Sequence, residues 1–197
     1  VIEENKKTIT PDTLLSIIYT SGTTGTPKGV MHAHSSIVFN FLAHAAQQIK
    51  NSSHRYLSFL PLCHIYERTM NYEFQSLGIS IYYGENMGTI ARDLKDIQAD
   101  GFCAVPRVIE MMYKKLDDIG KSLTGFKKII YRWAWNFGNT FDYENLTFRR
   151  RLLNSLFDKL VYSKWRDNLG GHEMLIVTGG SSIRACVIRL FSAAKMY

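Results

Sequence analysis

Cysteine is scarce in this sequence: three in 197 residues. Cys63, Cys103 and Cys186 lie far apart, are odd in number and form no Cys-x-x-Cys pair. A disulfide framework and a cysteine zinc site are thereby excluded, and a reducing cytosol is the expected setting. Long hydrophobic runs are missing as well. Ile37 to Ala46 is broken by Asn40 and His44, short of the roughly 18 consecutive apolar residues of a spanning helix. The first residues carry no secretory pattern, and neither an internal repeat nor a low-complexity segment occurs. With 46% hydrophobic and 21% charged residues, the composition is that of a globular protein.

Acid is lacking in one half only. Residues 1–100 are nearly neutral, whereas residues 101–197 hold 16 Lys and Arg against 8 Asp and Glu. Between 121 and 166 only Asp142, Glu144 and Asp158 oppose 10 basic residues, and all three tryptophans, Trp133, Trp135 and Trp165, fall there.

Short apolar runs alternate with helical periodicity along most of the chain. Leu14 to Thr20 reads as a buried strand entering a Gly/Thr/Ser loop, followed by a helix capped by Ser35 or Ser36 and carrying Ile37, Phe41 and Ala45. Tyr56 to Leu60 is the next strand. Ile65 to Leu77 is a helix closed by Gly78, and Ile79 to Tyr83 a strand closed by Gly84. Thr89 caps a helix through Ile97, Phe102 to Val105 is a strand, and Pro106 opens a helix with Val108, Met111, Met112 and Leu116 on one face. Phe126 to Val161 is helical throughout. Glu173 to Thr178 is a last strand, followed by Gly179, Gly180 and a helix with Ile183, Val187, Leu190 and Phe191. This alternation predicts an α/β fold, a mostly parallel sheet with helices on both faces, and a helical insertion near 121–168. Ligands of such sheets bind beyond the carboxyl ends of the strands, where both glycine-rich breaks lie. The chain starts at Val1, and Phe191 to Tyr197 is expected to run out inside an unfinished helix, so a piece of a larger protein is anticipated.

The segment with most chemistry is Thr20-Ser21-Gly22-Thr23-Thr24-Gly25-Thr26-Pro27-Lys28-Gly29, in which ten residues hold five hydroxyls, three glycines and one lysine. Glycines let main-chain amides approach phosphate oxygens, hydroxyls donate further bonds, and Lys28 offers a cation to a polyphosphate. It is not a Walker loop, whose spacing would put glycine at Pro27. His64 follows a strand-ending Pro-Leu-Cys, and as a residue type it suits a core or capping position as well as a cleft. His32, His34, His64 and Cys63 show no standard zinc-ligand spacing.

Tyr19 to Gly29, YTSGTTGTPKG, resembles the signature phosphate-binding loop of the adenylate-forming superfamily of acyl-CoA synthetases, luciferases and peptide-synthetase adenylation domains. Leu60-Pro61-Leu62-Cys63-His64-Ile65-Tyr66-Glu67-Arg68 is similar to the second core motif, and its His-x-x-Glu-Arg continuation resembles the long-chain fatty acyl-CoA synthetases. Val177-Thr178-Gly179-Gly180-Ser181-Ser182 resembles the segment bordering the adenine pocket, although Ser181, Ser182 and Ile183 replace the usual small apolar residue and proline.

The resemblance implies part of an ATP-dependent long-chain fatty acid:CoA ligase, with ATP, Mg2+ and CoA as cofactor and co-substrates. Thr20, Ser21, Gly22, Thr23, Thr24, Gly25, Thr26, Lys28, Gly29, Gly179, Gly180 and Ser181 would bind nucleotide. Lys28, Thr23 and His64 would act in catalysis, with His64 beside the acyl substrate and the path of the CoA thiol. Thr20 would neighbour the metal together with a Glu that is not in this sequence. The family's magnesium Glu, ribose Asp and catalytic Lys motifs are absent, so residues 1–197 are expected to be an incomplete adenylation domain without ligase activity alone. An aryl or medium-chain acid remains open as substrate.

From Phe126 to Trp165, eleven aromatics interleave with Lys127, Lys128, Arg132, Arg149, Arg150 and Arg151. One reading is a helical pair that buries Phe126, Ile129, Ile130, Trp133 and Phe137 against Leu152, Leu153, Leu156, Phe157 and Leu160. The other is a face resting on an anionic membrane, peripheral to the cytoplasm. A non-catalytic membrane-binding or nucleic-acid-binding module would use the same cations, but would leave residues 20–29 unexplained; no nucleic-acid partner is expected.

Overall fold

The computed structural model describes residues 2–21, 25–45 and 52–197. They form two compact units, one of residues 1–52 and 60–79, the other of 53–59 and 80–197.

The first unit holds α1 (Ile2–Thr8), the strands β1 (Leu14–Thr20) and β2 (Lys28–Ala33), and the helices α2 (His34–Ala45) and α3 (Ile65–Ser76). β1 and β2 form an antiparallel hairpin with Thr20 opposite Lys28 and Tyr19 opposite Gly29. Three expectations are corrected here. β1 is not a buried strand, since Leu14, Ile17 and Tyr19 are exposed. The loop also leads into a second strand before any helix, because Lys28 and His32 interrupt the alternation that would have announced β2. Neither Ser35 nor Ser36 caps α2. The main chain of 11–13 does so, the Ser35 N–H donating to the Pro11 carbonyl at 2.8 Å and the His34 N–H to that of Thr13 at 3.1 Å. α2 packs on α3 around Ile37, Met70 and Phe74. Between these helices a half-buried histidine meets a buried carboxyl, His44 Nδ1 lying 2.5 Å from Glu73 Oε2. Gly78, at φ +69°, closes α3 as expected.

The second unit is built on a four-stranded parallel sheet flanked by helices, in the order β4 (Ser80–Tyr83), β3 (Arg55–Ser58), β5 (Gly101–Ala104), β6 (Leu175–Thr178). β5 is buried at every residue, as a central parallel strand must be, while the edge strand β4 is largely open. α4 (Ile90–Ile97) leads from β4 to β5, and α5 (Pro106–Ser122) follows with Pro106 in its first turn, where a missing N–H costs nothing. Thr89 is the N-cap residue of α4, its carbonyl accepting from the Asp93 N–H at 2.9 Å, but its hydroxyl makes no capping bond to a main-chain N–H; it donates instead to Asp93 Oδ2 at 2.6 Å and holds that carboxyl below its usual range. On α5 the buried face is Val108 and Ile109, and Met111 points outward, contrary to the periodicity.

Beyond α5 come α6 (Gly125–Asn139), α7 (Phe148–Phe157), a π-helical turn (Asp158–Tyr162) and α8 (Ser163–Asp167). The expected helical pair is corrected. α6 packs chiefly on α9 (Ala185–Ala193), and its buried side is Tyr131, Ala134, Trp135 and Gly138. Phe126, Ile129 and Trp133 are exposed, as are Leu152, Leu153, Leu156 and Leu160. Tyr131, Trp135, Tyr162 and Trp165 form a continuous aromatic cluster, in which burial pushes the Tyr131 hydroxyl up to about 12. The chain does not run out inside a helix either. α9 stops at Ala193, Lys195 turns at φ +57°, and Met196 pairs in parallel with Met174 beside β6.

Candidate functional site

The Thr20 to Gly29 segment is the tip of the β1–β2 hairpin. Strand pairing fixes both ends of the loop, and the Thr20 hydroxyl donates to the Lys28 carbonyl at 3.5 Å across its mouth. Thr20, Ser21, Thr26 and Lys28 are exposed, so their hydroxyls and the ammonium face solvent. Gly25 has φ +81° with open space where a Cβ would be, a conformation that favours glycine and leaves the backbone approachable. Gly29 is needed for packing: a Cβ there would lie 2.9 Å from Ile17 Cγ2 and 3.3 Å from the Tyr19 ring. Gly22, Thr23 and Thr24 lie outside the described residues.

His64 belongs to the same unit. It is the N-cap residue of α3, with extended backbone (φ −92°, ψ 136°), and its exposed imidazole makes no capping bond. Its N–H closes a turn onto the Pro61 carbonyl at 3.0 Å, and its own carbonyl accepts from the Arg68 N–H at 3.2 Å. The Arg68 guanidinium spans further, Nε donating to the Leu62 carbonyl at 2.9 Å and Nη1 to the Ser16 hydroxyl on β1 at 2.9 Å. Gly179, Gly180 and Ser181 belong to the other unit and follow β6 directly. Gly180 is at φ +91° with nothing within 4 Å of a built Cβ, and Ser181 is exposed.

The sequence had singled out the hairpin residues and His64, but not the link through Arg68 and Ser16. Its one trace was the arginine four residues after the histidine, a spacing that brings the two together on a helix. The buried carboxylates were also missed. Glu67 and Glu73 are fully buried on α3, and Asn71 Nδ2 donates to the Glu67 carbonyl at 2.9 Å. Among the described residues, no group of three or more His, Cys, Asp or Glu is placed to hold a metal ion.

A hairpin loop of this composition can receive a polyphosphate through main-chain amides, hydroxyls and one cation. The family described as AMP-binding enzyme matches residues 2–194. This chain belongs to the AMP-binding enzyme family. It is similar to long chain acyl-CoA synthetase 6, peroxisomal, of Arabidopsis thaliana, at 33% identity over 180 residues, 88% of this chain and 24% of that protein. It is likewise similar to long-chain-fatty-acid--CoA ligase 1 of Homo sapiens, at 33% identity over 189 residues, 93% of this chain and 26% of that protein. The chain thus spans about a quarter of the length of these relatives.

Among solved structures, the N-terminal domain of FACL13 from Mycobacterium tuberculosis shares the fold at a TM-score of 0.59 and 19% identity, over 94% of this chain and 35% of that one. A malonyl-CoA ligase in a product complex with methylmalonyl-CoA and AMP does so at 0.56 and 18%, over 90% of this chain and 30% of that one.

Proposed function

We propose that this AMP-binding chain is part of an ATP-dependent long-chain fatty acid:CoA ligase, an incomplete adenylation domain carrying a helical, basic-aromatic segment at 121–168. The observation that carries the reading is the hairpin, which presents the hydroxyls of Thr20, Ser21 and Thr26, the open backbone at Gly25 and the Lys28 ammonium at one exposed tip. A carboxylate is a poor acyl donor because its leaving group would be oxide. A fatty-acid carboxylate oxygen therefore attacks the α-phosphorus of ATP, and pyrophosphate leaves. The CoA sulfur then attacks the acyl carbonyl carbon, giving up its proton, and AMP leaves.

Negative charge grows on the phosphate oxygens in the first step. Lys28, the loop amides and the hydroxyls of Thr20, Ser21, Thr23 and Thr24 offset it, with Gly22 and Gly29 keeping the backbone close. His64 lies beside the acyl group and the path of the thiol. Gly179, Gly180 and Ser181 border the adenine. For magnesium, which this family employs, the Thr20 hydroxyl would supply a single hard oxygen donor, and among the described residues no group of three or more His, Cys, Asp or Glu is placed to hold the ion. The residues present do not make a complete metal site, and no step here depends on one.

The exposed apolar stripes on α6 and α7 add a partner to the proposal. Phe126 and Trp133 on α6 are 73% and 62% exposed, Phe148 and Leu152 on α7 82% and 65%. Lys127, Lys128, Arg149 and Arg151 are exposed beside them. Aromatic and basic side chains together suit an anionic bilayer surface, where long-chain fatty acids partition. The enzyme would rest there peripherally from the cytoplasm. Among the described residues no helix is long and apolar enough to cross a membrane.

The test uses the full-length protein with radiolabelled pyrophosphate, ATP and a panel of acids. Pyrophosphate exchange that requires a long-chain fatty acid, followed by acyl-CoA formation when CoA is added, is the expected result. Exchange that ignores the acid, or prefers an aryl or short acid, would refute the substrate assignment.

A further inference from the structure

We propose that Arg68 is a positioning residue that ties the His64 turn to β1, the strand that enters the phosphate loop. The inference rests on the ligase reading above and adds to it the device that holds two of its segments in register. Three bonds radiate from this one residue. Its N–H donates to the His64 carbonyl at 3.2 Å, its Nε to the Leu62 carbonyl at 2.9 Å, and its Nη1 to the Ser16 hydroxyl at 2.9 Å. The His64 N–H meanwhile returns to Pro61 at 3.0 Å, so the turn from Pro61 to His64 is held at Pro61, Leu62 and His64.

The placement of His64 depends on this grip for a specific reason. The imidazole is exposed and makes no capping bond, so its position is inherited from the main chain beneath it. Of the three carbonyls that hold that main chain, those of Pro61 and His64 bond to main-chain N–H groups, and that of Leu62 is held by the Arg68 guanidinium. The planar guanidinium fixes direction as well as distance, because its donors leave in a rigid fork. At the other end, Ser16 sits just after the register irregularity between Leu14 and Ser16, at the edge of the regular β1–β2 pairing. From there the strand runs four residues to Thr20, about 13 Å of extended chain. β1 is secured to β2 all along that length and needs no help from Arg68 to hold the phosphate loop. The His64 turn has no strand partner among the bonds described, and it stands to lose its place when the guanidinium goes.

A selective defect follows. Adenylation, served by the hairpin, should survive removal of the guanidinium, whereas acyl transfer to CoA, served by His64, should suffer. Misplacing a reacting or positioning group by about 1 Å costs on the order of 100-fold in rate. In full-length Arg68→Met, which keeps the aliphatic stem, thioester formation from preformed acyl-adenylate should fall roughly 10- to 100-fold. Fatty-acid-dependent pyrophosphate exchange should stay within about threefold of the parent, as expected where the lost interaction acts only in the later step.

Arg68→Lys, which offers a charge but no fork, should recover only part of the loss. Ser16→Ala should show the same split to a smaller degree, and Arg68→Met with Ser16→Ala should be no worse than Arg68→Met alone, because one bond cannot be lost twice. If Arg68→Met does not fold, Ser16→Ala carries the test by itself. Equal loss of both half-reactions, or full activity in both, would overturn the positioning role while leaving the ligase reading intact. A parent protein without acid-dependent pyrophosphate exchange would overturn the ligase reading, and this inference with it.

Discussion

Gly101 is the place where the sheet has least room. It opens β5 directly beside Leu175 of β6, and a Cβ built on it would stand 2.6 Å from the Leu175 carbonyl oxygen, with Leu175 Cβ at 3.4 Å. The obstacle is main chain, which cannot swing aside like the end of a flexible side chain. Gly101→Ala must therefore push β6 away by several tenths of an ångström, against the Leu175 N–H bond to the Asp100 carbonyl at 2.9 Å. Overpacking of this kind costs about 1–3 kcal/mol, and a weakened ladder bond about 0.5–1.5 kcal/mol more. Relief of glycine's backbone entropy returns roughly 0.5–1 kcal/mol. The net is a destabilisation of about 0.5–4 kcal/mol where an alanine in an ordinary strand would stabilise. In the full-length protein this should appear as a lower urea midpoint, and as faster hydrogen exchange at the Leu175 amide than in the parent. An unchanged or raised midpoint, with Leu175 as protected as before, would show that the strands separate freely and would refute the reasoning.

Lys28→Ala in the full-length enzyme should slow fatty-acid-dependent pyrophosphate release by about 2.7–4 kcal/mol of barrier while acyl-chain affinity changes little; steady-state kinetics beside fatty-acid titration decides this, and unchanged release would remove Lys28 from the site. On the basic face, Arg150 already donates to the Thr140 carbonyl at 2.8 Å and lies over the Phe137 ring, so Arg149 and Arg151 are the residues to change. Replacing both with Ser should remove roughly 2 kcal/mol of binding to anionic vesicles at low salt. Neutral vesicles should be unaffected, and co-sedimentation equal to the parent would dismiss the membrane face. Tyr131, whose hydroxyl donates to the Leu116 carbonyl at 2.6 Å, keeps its proton up to about pH 12 in the fold against about 10 when unfolded. Its contribution is fully present below pH 10 and is lost as pH rises toward 12, a change of about 2–3 kcal/mol. Tyr131→Phe should flatten that part of the alkaline unfolding curve, and a curve with the parent's slope would contradict the assignment.

The alternation of strands and helices was readable from the sequence because its signals are local. Gly78 stops α3, Pro106 starts α5 and the apolar run at 101–104 makes β5, each for reasons confined to a few residues. The composition of residues 20–29, dense in hydroxyls and glycine with one lysine, is local in the same sense, and the phosphate role proposed for it rests on those residue types. What neighbours do was not local and could not be read. Lys28 and His32 concealed β2, whose existence turns the loop into a hairpin tip. α6 carries apolar residues on two sides, and the buried one is chosen by α9, where Gly138 leaves room for Leu190 and Tyr162 to approach while Phe126 and Trp133 stay outside. Arg68 gave no sign in its own segment that its guanidinium would reach Ser16, 52 residues earlier. Periodicity says which residues share a side of an element; only the packing of elements distant in the chain decides which side is covered, because the free energy of burial depends on the partner that arrives.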